Sequence, residues 1–181
     1  PFMMMVVFSV IFGKFAQVPS DGFPYPIFLY SALLPWTLFA STLSQSSNAI
    51  LGSSYVIKKV YFPRIIIPIA GAGSPVVDYL VANLLMVVMA VYFGIAPSWE
   101  IVLMPLIILL LSLAAQGVGM GLGAFAVSYR DFRHVIPFVV QVWMFVTPVI
   151  YGSSLLPEEW RFVLMLNPIT GLVESSRYIW L

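Results

Sequence analysis

Long apolar stretches alternate with short polar segments along this chain. A helix needs about 20 mainly apolar residues to cross a hydrocarbon core about 30 Å thick. The polar segments concentrate proline, glycine and charged residues, which are typical of loops. We therefore predict a partial span at 1–13 and further spans at 25–51, 65–94, 101–127 and 135–151. The last of these is short for a straight span, and Thr147-Pro148 interrupts it.

The region after the last span follows a different pattern. Pro157 suits the first position of a helix, and Glu158 and Glu159 favour the N-terminal end of its dipole. The apolar run that follows stops at Asn167-Pro168 and is too short to cross, so we predict interfacial or re-entrant helices over 155–178. The predicted fold is an all-α polytopic membrane protein with a single transmembrane domain over 1–181. We expect about six spans in the full protein, the first clipped and the last missing here.

The amino-acid composition is typical of a protein embedded in a lipid bilayer. Hydrophobic residues make up 61% of the sequence and charged residues only 8%, whereas soluble domains are about a quarter charged. The formal net charge of +1 argues against nucleic-acid binding, which requires a basic patch. The chain has no cysteine, its one histidine is His134, and it has no phosphate-binding loop of the Walker type. These features argue against an enzyme, and we expect no cofactor in this chain.

The distribution of lysine and arginine predicts the orientation in the membrane. Cytoplasmic loops carry an excess of these residues. Five of the eight fall in the segments 52–64 and 128–134, which we therefore place inside. The segments 14–24, 95–100 and 152–177 are placed outside.

Polar residues and glycines within the spans each allow two interpretations. Ser41, Ser44, Gln45 and Asn48 share one face of the second span, where they could line a path or make interhelical hydrogen bonds, which we favour. The glycine pairs 117/121 and 119/123 predict close helix packing, with a flexible gating point as the alternative. Asp78 could be a functional carboxylate, but we favour a position in the first turn of a helix capped by Ser74, near the inner interface.

Aromatic residues cluster on the fifth predicted span. Phe138, Trp143, Phe145 and Tyr151 could form a surface on which sugar rings stack, or they could belong to the packed core and the interfacial belt. The second interpretation is favoured by the sequence pattern alone.

The heptapeptide KKVYFPR, residues 58–64, contains three of the eight cations of the chain around two aromatic rings. Attraction to anionic lipid headgroups explains the charges. It does not explain Tyr61 and Phe62 ahead of Pro63. A short amphipathic helix ended by this proline would offer both rings to a groove on a partner protein.

Four blocks of sequence, in order, resemble one family. They are SDGFPYPIFLYSALLPW at 20–36, KKVYFPRIIIP at 58–68, YRDFRHVIPFVVQVWMFVTPVIY at 129–151 and LNPITGLVESSRY at 166–178. Together they resemble the permeases of type-2 ATP-binding-cassette exporters for polysaccharides, such as O-antigen, capsule and teichoic acid. The resemblance implies six spans, a cytoplasmic coupling helix at about 48–63 and short external re-entrant helices.

The resemblance also implies a function. Two copies would form a pore in the bacterial cytoplasmic membrane for a lipid-linked polysaccharide, and a separate ATP-binding cassette subunit would bind ATP and Mg²⁺. Permeases for drugs, haem or lipids are the alternative within the same superfamily, and a membrane acyl- or glycosyltransferase is the alternative outside it. The residues expected at the ATPase interface are Lys58, Lys59, Tyr61, Phe62, Arg64, Arg130, Asp131 and Arg133. Those expected on the translocation path are Phe138, Trp143, Phe145, Tyr151, Ser41 and Gln45. Those expected at an external gate are Glu158, Glu159, Trp160 and Arg161.

Overall fold

The helices of the chain follow the predicted apolar stretches closely. The computed structural model describes residues 1–52, 63, 65–129, 131–155, 157, 162, 164 and 166–181. Seven α-helices lie within this part of the chain: α1 (Phe2–Phe8), α2 (Tyr25–Gly52), α3 (Ile66–Gly71), α4 (Gly73–Phe93), α5 (Met104–Ser128), α6 (Phe132–Val146) and α7 (Pro168–Trp180). A π-helical turn (Ser9–Phe15) extends α1, and short 3-10 turns occur at Trp99–Leu103 and Ser153–Leu155. No strand occurs among the described residues, which confirms the all-α prediction.

Within the described part of the chain, three helical segments are long and apolar enough to cross a membrane. They are Tyr25–Ala49, Ile66–Phe93 and Trp99–Ser128, judged by length and composition. Phe2–Phe15 and Phe132–Val146 are shorter apolar helices. Helical structure in the predicted span 135–151 ends at Val146, because the backbone of Thr147 turns to an extended conformation ahead of Pro148.

The second helix, α2, is the centre of the bundle. It contacts each of the other six helices, and its side chains from Ile27 to Phe39 are almost all buried. The outward faces of α4 and α5, by contrast, carry exposed valine and leucine. This arrangement is typical of a membrane protein, in which the central helix packs against protein and the peripheral helices present apolar side chains outward.

The helices α2 and α5 approach each other closely, and this approach requires glycine. A Cβ atom added at Gly119 would lie 2.7 Å from the backbone oxygen of Leu43, and one at Gly123 would lie 2.8 Å from that of Ser47. Cβ atoms at Gly117 and Gly121 would meet no atom within 4 Å. Close packing is therefore confirmed for the pair 119/123, whereas the pair 117/121 faces away from the described helices.

The predicted cap at Ser74 is wrong. Ser74 lies inside α4, and the residue that precedes this helix, Ala72, has helical backbone angles and no side-chain cap. An N-cap needs an extended backbone, and the chain does not leave the helical region here. Asp78 is consequently the thirteenth residue of the 28-residue segment Ile66–Phe93, near its middle rather than close to one end.

The different surroundings of the glycines generate a stability prediction. Gly123→Ala should lower the melting temperature of the purified protein, because the new methyl group would force apart the backbones of α2 and α5, at a cost of about 1–3 kcal/mol. Gly121→Ala is the matched control, and it should be neutral or slightly stabilising because alanine is the better helix former. Thermal unfolding in detergent measures both. Equal melting temperatures for the two variants would contradict the packing of Gly123 against Ser47.

Candidate functional site

The helix α6 leaves one apolar face uncovered. Ile136 and Met144 are buried against the bundle. On the other side, large side chains recur at the three- and four-residue spacing of a helical face. The exposed ones are Val135, Phe138, Val142, Phe145 and Val146, with Phe138 69% and Phe145 53% accessible. Two of the predicted path residues therefore lie on one continuous face that none of the described residues covers.

The other two aromatic path residues have different surroundings. Trp143 is half-buried and packs edge-on against Phe39 of α2, with ring centroids 5.3 Å apart. Tyr151 lies beyond the end of α6, and its hydroxyl donates a hydrogen bond to the backbone oxygen of Phe145 (3.1 Å). Trp143 packs on the buried side of α6, and Tyr151 contacts the end of the helix. Neither side chain belongs to the exposed face.

The chain is non-helical over 147–151, immediately after α6. Thr147 and residues 148–150 are buried, so their backbone oxygen atoms need protein donors. Helices α2 and α7 supply these donors. The hydroxyl of Tyr25 donates to the oxygen of Ile150 (2.9 Å). The Nη2 atom of Arg177 donates to the oxygens of Pro148 (2.9 Å) and Val149 (3.1 Å), and its Nη1 atom donates to that of Tyr151 (3.5 Å).

Arg177 is a buried charge, with only 9% of its surface accessible. Its guanidinium carbon lies 4.1 Å from the centre of the Phe28 ring, in cation–π contact. Burial lowers the pKa of Arg177 to about 10, and the carboxylates of Glu174 and Asp21 partly oppose this shift. The side chain therefore remains charged at neutral pH, and backbone oxygen atoms and an aromatic face contact its guanidinium.

Asn167 connects the same non-helical segment to the start of α7. Its side-chain oxygen accepts a hydrogen bond from the backbone N–H of Ile169 (3.2 Å) and thereby caps the helix. Its side-chain nitrogen donates to Oγ1 of Thr147 (3.1 Å). The helix that begins here has 13 residues and is about 20 Å long, too short to cross a bilayer.

Sequence reasoning missed the role of Arg177, which it treated only as a cation outside the membrane. The signal was present in the periodicity of α7. Its buried residues are Ile169, Thr170, Val173, Ser176, Arg177, Ile179 and Trp180. Most of these positions follow the three- and four-residue spacing of one helix face, so Arg177 shares that face with apolar side chains. A charge on the apolar face of a helix indicates a buried partner.

The polar residues of α2 lie on a different side of that helix from α6. Ser41, Ser44, Gln45 and Asn48 are exposed, so the favoured prediction of interhelical hydrogen bonds is wrong for this stripe within the described structure. Asn48 donates instead to the backbone oxygen of Ser44 in its own helix (2.8 Å). Phe39, which contacts Trp143, is about 200° from Ser41 around the helix axis. Hence the predicted path residues Ser41 and Gln45 do not share a surface with Phe138 and Phe145 in one protomer.

Ser41 instead borders a cavity of about 310 Å³ between α2 and α4. Asp78, Thr37 and Tyr79 also line it. The hydroxyl of Tyr79 is directed at the sulfur of Met104 (3.7 Å). This cavity therefore combines the intramembrane carboxylate with two hydroxyl groups of α2.

Most of the predicted ATPase interface and the whole predicted gate lie outside the described residues. This applies to Lys58, Lys59, Tyr61, Phe62, Arg64 and Arg130 of the interface and to Glu158, Glu159, Trp160 and Arg161 of the gate. The two described interface residues, Asp131 and Arg133, are exposed at the start of α6. Nε of Arg133 donates to Nε2 of His134 (3.3 Å). These two charges therefore lie at the opposite end of α6 from the Arg177 cluster.

Comparison with known proteins agrees with this architecture. The sequence model described as ABC-2 type transporter matches residues 1–181. The O-antigen export system permease protein RfbA of Myxococcus xanthus is 28% identical over 181 residues, which are 99% of this chain and 69% of that protein. RfbA of Klebsiella pneumoniae is 26% identical, covering 98% of this chain and 68% of its own length. The polysialic acid transport protein KpsM of Escherichia coli is 22% identical, covering 96% of this chain and 67% of its own length. This chain belongs to the ABC-2 type transporter family.

Proposed function

We propose that this chain is the membrane-spanning permease subunit of an ATP-driven exporter that moves a lipid-linked polysaccharide across the bacterial cytoplasmic membrane. The observation that carries the proposal is the similarity, over nearly the whole chain, to permeases whose names specify O-antigen export and polysialic acid transport. The cargo is accordingly a polymer of the O-antigen, capsule or teichoic-acid type.

The exposed face of α6 supplies a physical basis for polymer movement. We assign Phe138 and Phe145 to this path because both rings are accessible and lie on one side of the helix. Aromatic rings can stack on the apolar faces of sugars, and each such contact is weak. A row of weak sites suits conduction, because a polymer must bind well enough to enter and loosely enough to advance. Trp143 then supports the face from behind through its contact with Phe39.

The proposal also includes the partners, the docking surface and the gate that were predicted from the sequence. Two copies of the permease would enclose the path, and each would dock on an ATP-binding cassette subunit that binds ATP and Mg²⁺. The segments 52–64 and 128–134 would form the docking surface, which includes the exposed residues Asp131 and Arg133. Closure of the ATPase subunits would push on these segments and tilt the spans apart. Ser41 and Gln45 would contact the cargo from the cavity side of α2, and residues 158–161 would gate the outer mouth.

The aromatic face is tested by removing its rings. Phe138→Ala and Phe145→Ala should each reduce polymer export about two- to tenfold, the range that a ring contact of about 0.5–1.5 kcal/mol can supply. Surface glycan measured over time gives the export rate, and co-purification with the ATPase shows that assembly is intact.

The matched control is Tyr92→Ala, which removes an even more exposed ring from the outer end of α4. It should leave export unchanged. Wild-type export in both α6 variants would remove these rings from the path. Unchanged surface glycan in cells that lack the whole protein would favour a permease for another cargo.

The docking surface is tested by reversing a charge. Arg133→Glu should weaken association with the ATPase about two- to fivefold, because an exposed ion pair contributes up to about 1 kcal/mol. Affinity is measured by titrating the ATPase against the purified permease at low and high salt, and the difference should shrink as salt screens the charges. Lys14→Glu, on the predicted outer side, is the control. Equal affinities for the two variants would contradict the docking role and the orientation together.

A further inference from the structure

The segment 147–151 is an unusual place for a chain to leave the helical conformation. Buried backbone oxygen atoms without a donor cost free energy, and inside a membrane protein water cannot easily replace the missing partner. Among the described residues, the four consecutive oxygens of residues 148–151 nevertheless accept no hydrogen bond from a backbone N–H. Each of them receives a side-chain hydrogen bond, three from Arg177 and one from Tyr25. The conformation of this segment therefore depends on two side chains from other helices.

A guanidinium group is well suited to this arrangement. It is planar, always charged and carries five N–H donors in a fixed fork, so that one group can serve several acceptors at once. Unwound backbone oxygens within membrane proteins are known to coordinate cations. Here the cation is part of the protein. The face of Phe28, 4.1 Å from the guanidinium carbon, supplies further electrostatic stabilisation.

The three elements joined at this point differ in how firmly they are held. Tyr25 and Phe28 belong to the central helix α2, whose side chains here are buried. Arg177 belongs to α7, whose start is tied to Thr147 through Asn167. By contrast, α6 has an uncovered face along its whole length. At its outer end, Met144 and Trp143 pack against the bundle, and the hydrogen bonds to 147–151 fix the backbone that follows.

We propose that Arg177 is a positioning residue for transport. Its guanidinium fixes the outer end of α6 relative to α2, and so determines the direction in which the face with Phe138 and Phe145 points. The role in transport rests on the proposed function, because it takes this face to be the one that contacts the polymer. Tyr25 acts with Arg177, since it donates to the one oxygen of the four that the guanidinium does not reach.

Two conservative variants test the inference. Arg177→Lys keeps the positive charge but replaces the planar fork by a single nitrogen, so it cannot serve three oxygens in the same geometry. Tyr25→Phe keeps the ring and removes only the hydroxyl that donates to Ile150. The matched control is Tyr30→Phe, which removes a hydroxyl from the same helix that donates to Ala82 of α4 (3.0 Å). If Arg177→Lys does not fold, Tyr25→Phe by itself tests whether the hydrogen bonds to 147–151 position α6.

The direction of the α6 face is measured by thiol labelling in the full-length protein assembled with its ATPase. These 181 residues contain no cysteine, so single cysteines report without background from this region. Phe145→Cys reports on the outer end of the exposed face, and Val135→Cys reports on the opposite end. Each is placed in the unaltered protein and in the three variants, and the rate of reaction with a charged maleimide is measured. Export is measured in the same variants without the added cysteine, because Phe145→Cys itself removes a ring of the proposed path.

Arg177→Lys and Tyr25→Phe should each change the labelling rate at position 145 about fivefold. The loss of one hydrogen bond, which contributes about 1 kcal/mol net, changes the ratio of two orientations of α6 by about this factor. Both variants should also lower export. The rate at position 135 and all rates in Tyr30→Phe should stay as in the unaltered protein. A general loss of stability would instead affect both positions and the control variant.

Unchanged labelling at position 145, or changed labelling with unchanged export, would overturn the inference. Failure of the proposed aromatic path looks different. In that case Phe138→Ala and Phe145→Ala export normally, while Tyr25→Phe still shifts the labelling at position 145 and lowers export. Arg177 then remains a positioning residue, but for a path that lies elsewhere.

Discussion

Backbone oxygen atoms that leave a helix in apolar surroundings must find donors within the protein, and this requirement governs the end of the bundle at which α6 stops. The chain leaves the helical conformation after Val146, where Thr147 turns the backbone ahead of Pro148. The donors come from Arg177 and Tyr25, which lie 26 or more residues away from the oxygens they serve. A local break in one helix is therefore stable only because two other helices are packed beside it.

The helix α2 is the most deeply buried of the three long helical segments. It provides Tyr25 and Phe28 to the Arg177 cluster, Phe39 to Trp143, and a backbone surface to Gly119 and Gly123 of α5. These contacts occupy one side of the helix. In the second half of the helix, the opposite side carries the exposed polar residues Ser41, Ser44, Gln45 and Asn48. Close packing on one side and an open polar stripe on the other distinguish α2 from a helix that simply fills the core.

Charge is scarce in this chain, and its placement separates two physical roles. Asp131 and Arg133 are exposed at one end of α6, where water can solvate them and where a partner protein could reach them. Arg177 is buried beyond the other end, where backbone oxygen atoms, carboxylates and an aromatic ring compensate its charge. The helix with the exposed aromatic face thus has a solvated charge pair at one end and a buried guanidinium at the other.

The amino-acid sequence by itself determined the helical class, the positions of the long spans and the membrane as solvent, because these depend on apolar runs and on turn residues that act locally. It also identified Gly119 and Gly123, since small residues four apart form a surface for close packing wherever it lies. The tertiary structure alone decided which glycine pair packs, that Trp143 faces Phe39, that Ser41 and Phe138 lie on different surfaces, and that Arg177 is buried. Each of these depends on the rotation of a helix about its axis and on which neighbour it meets, and residues distant in the chain set both.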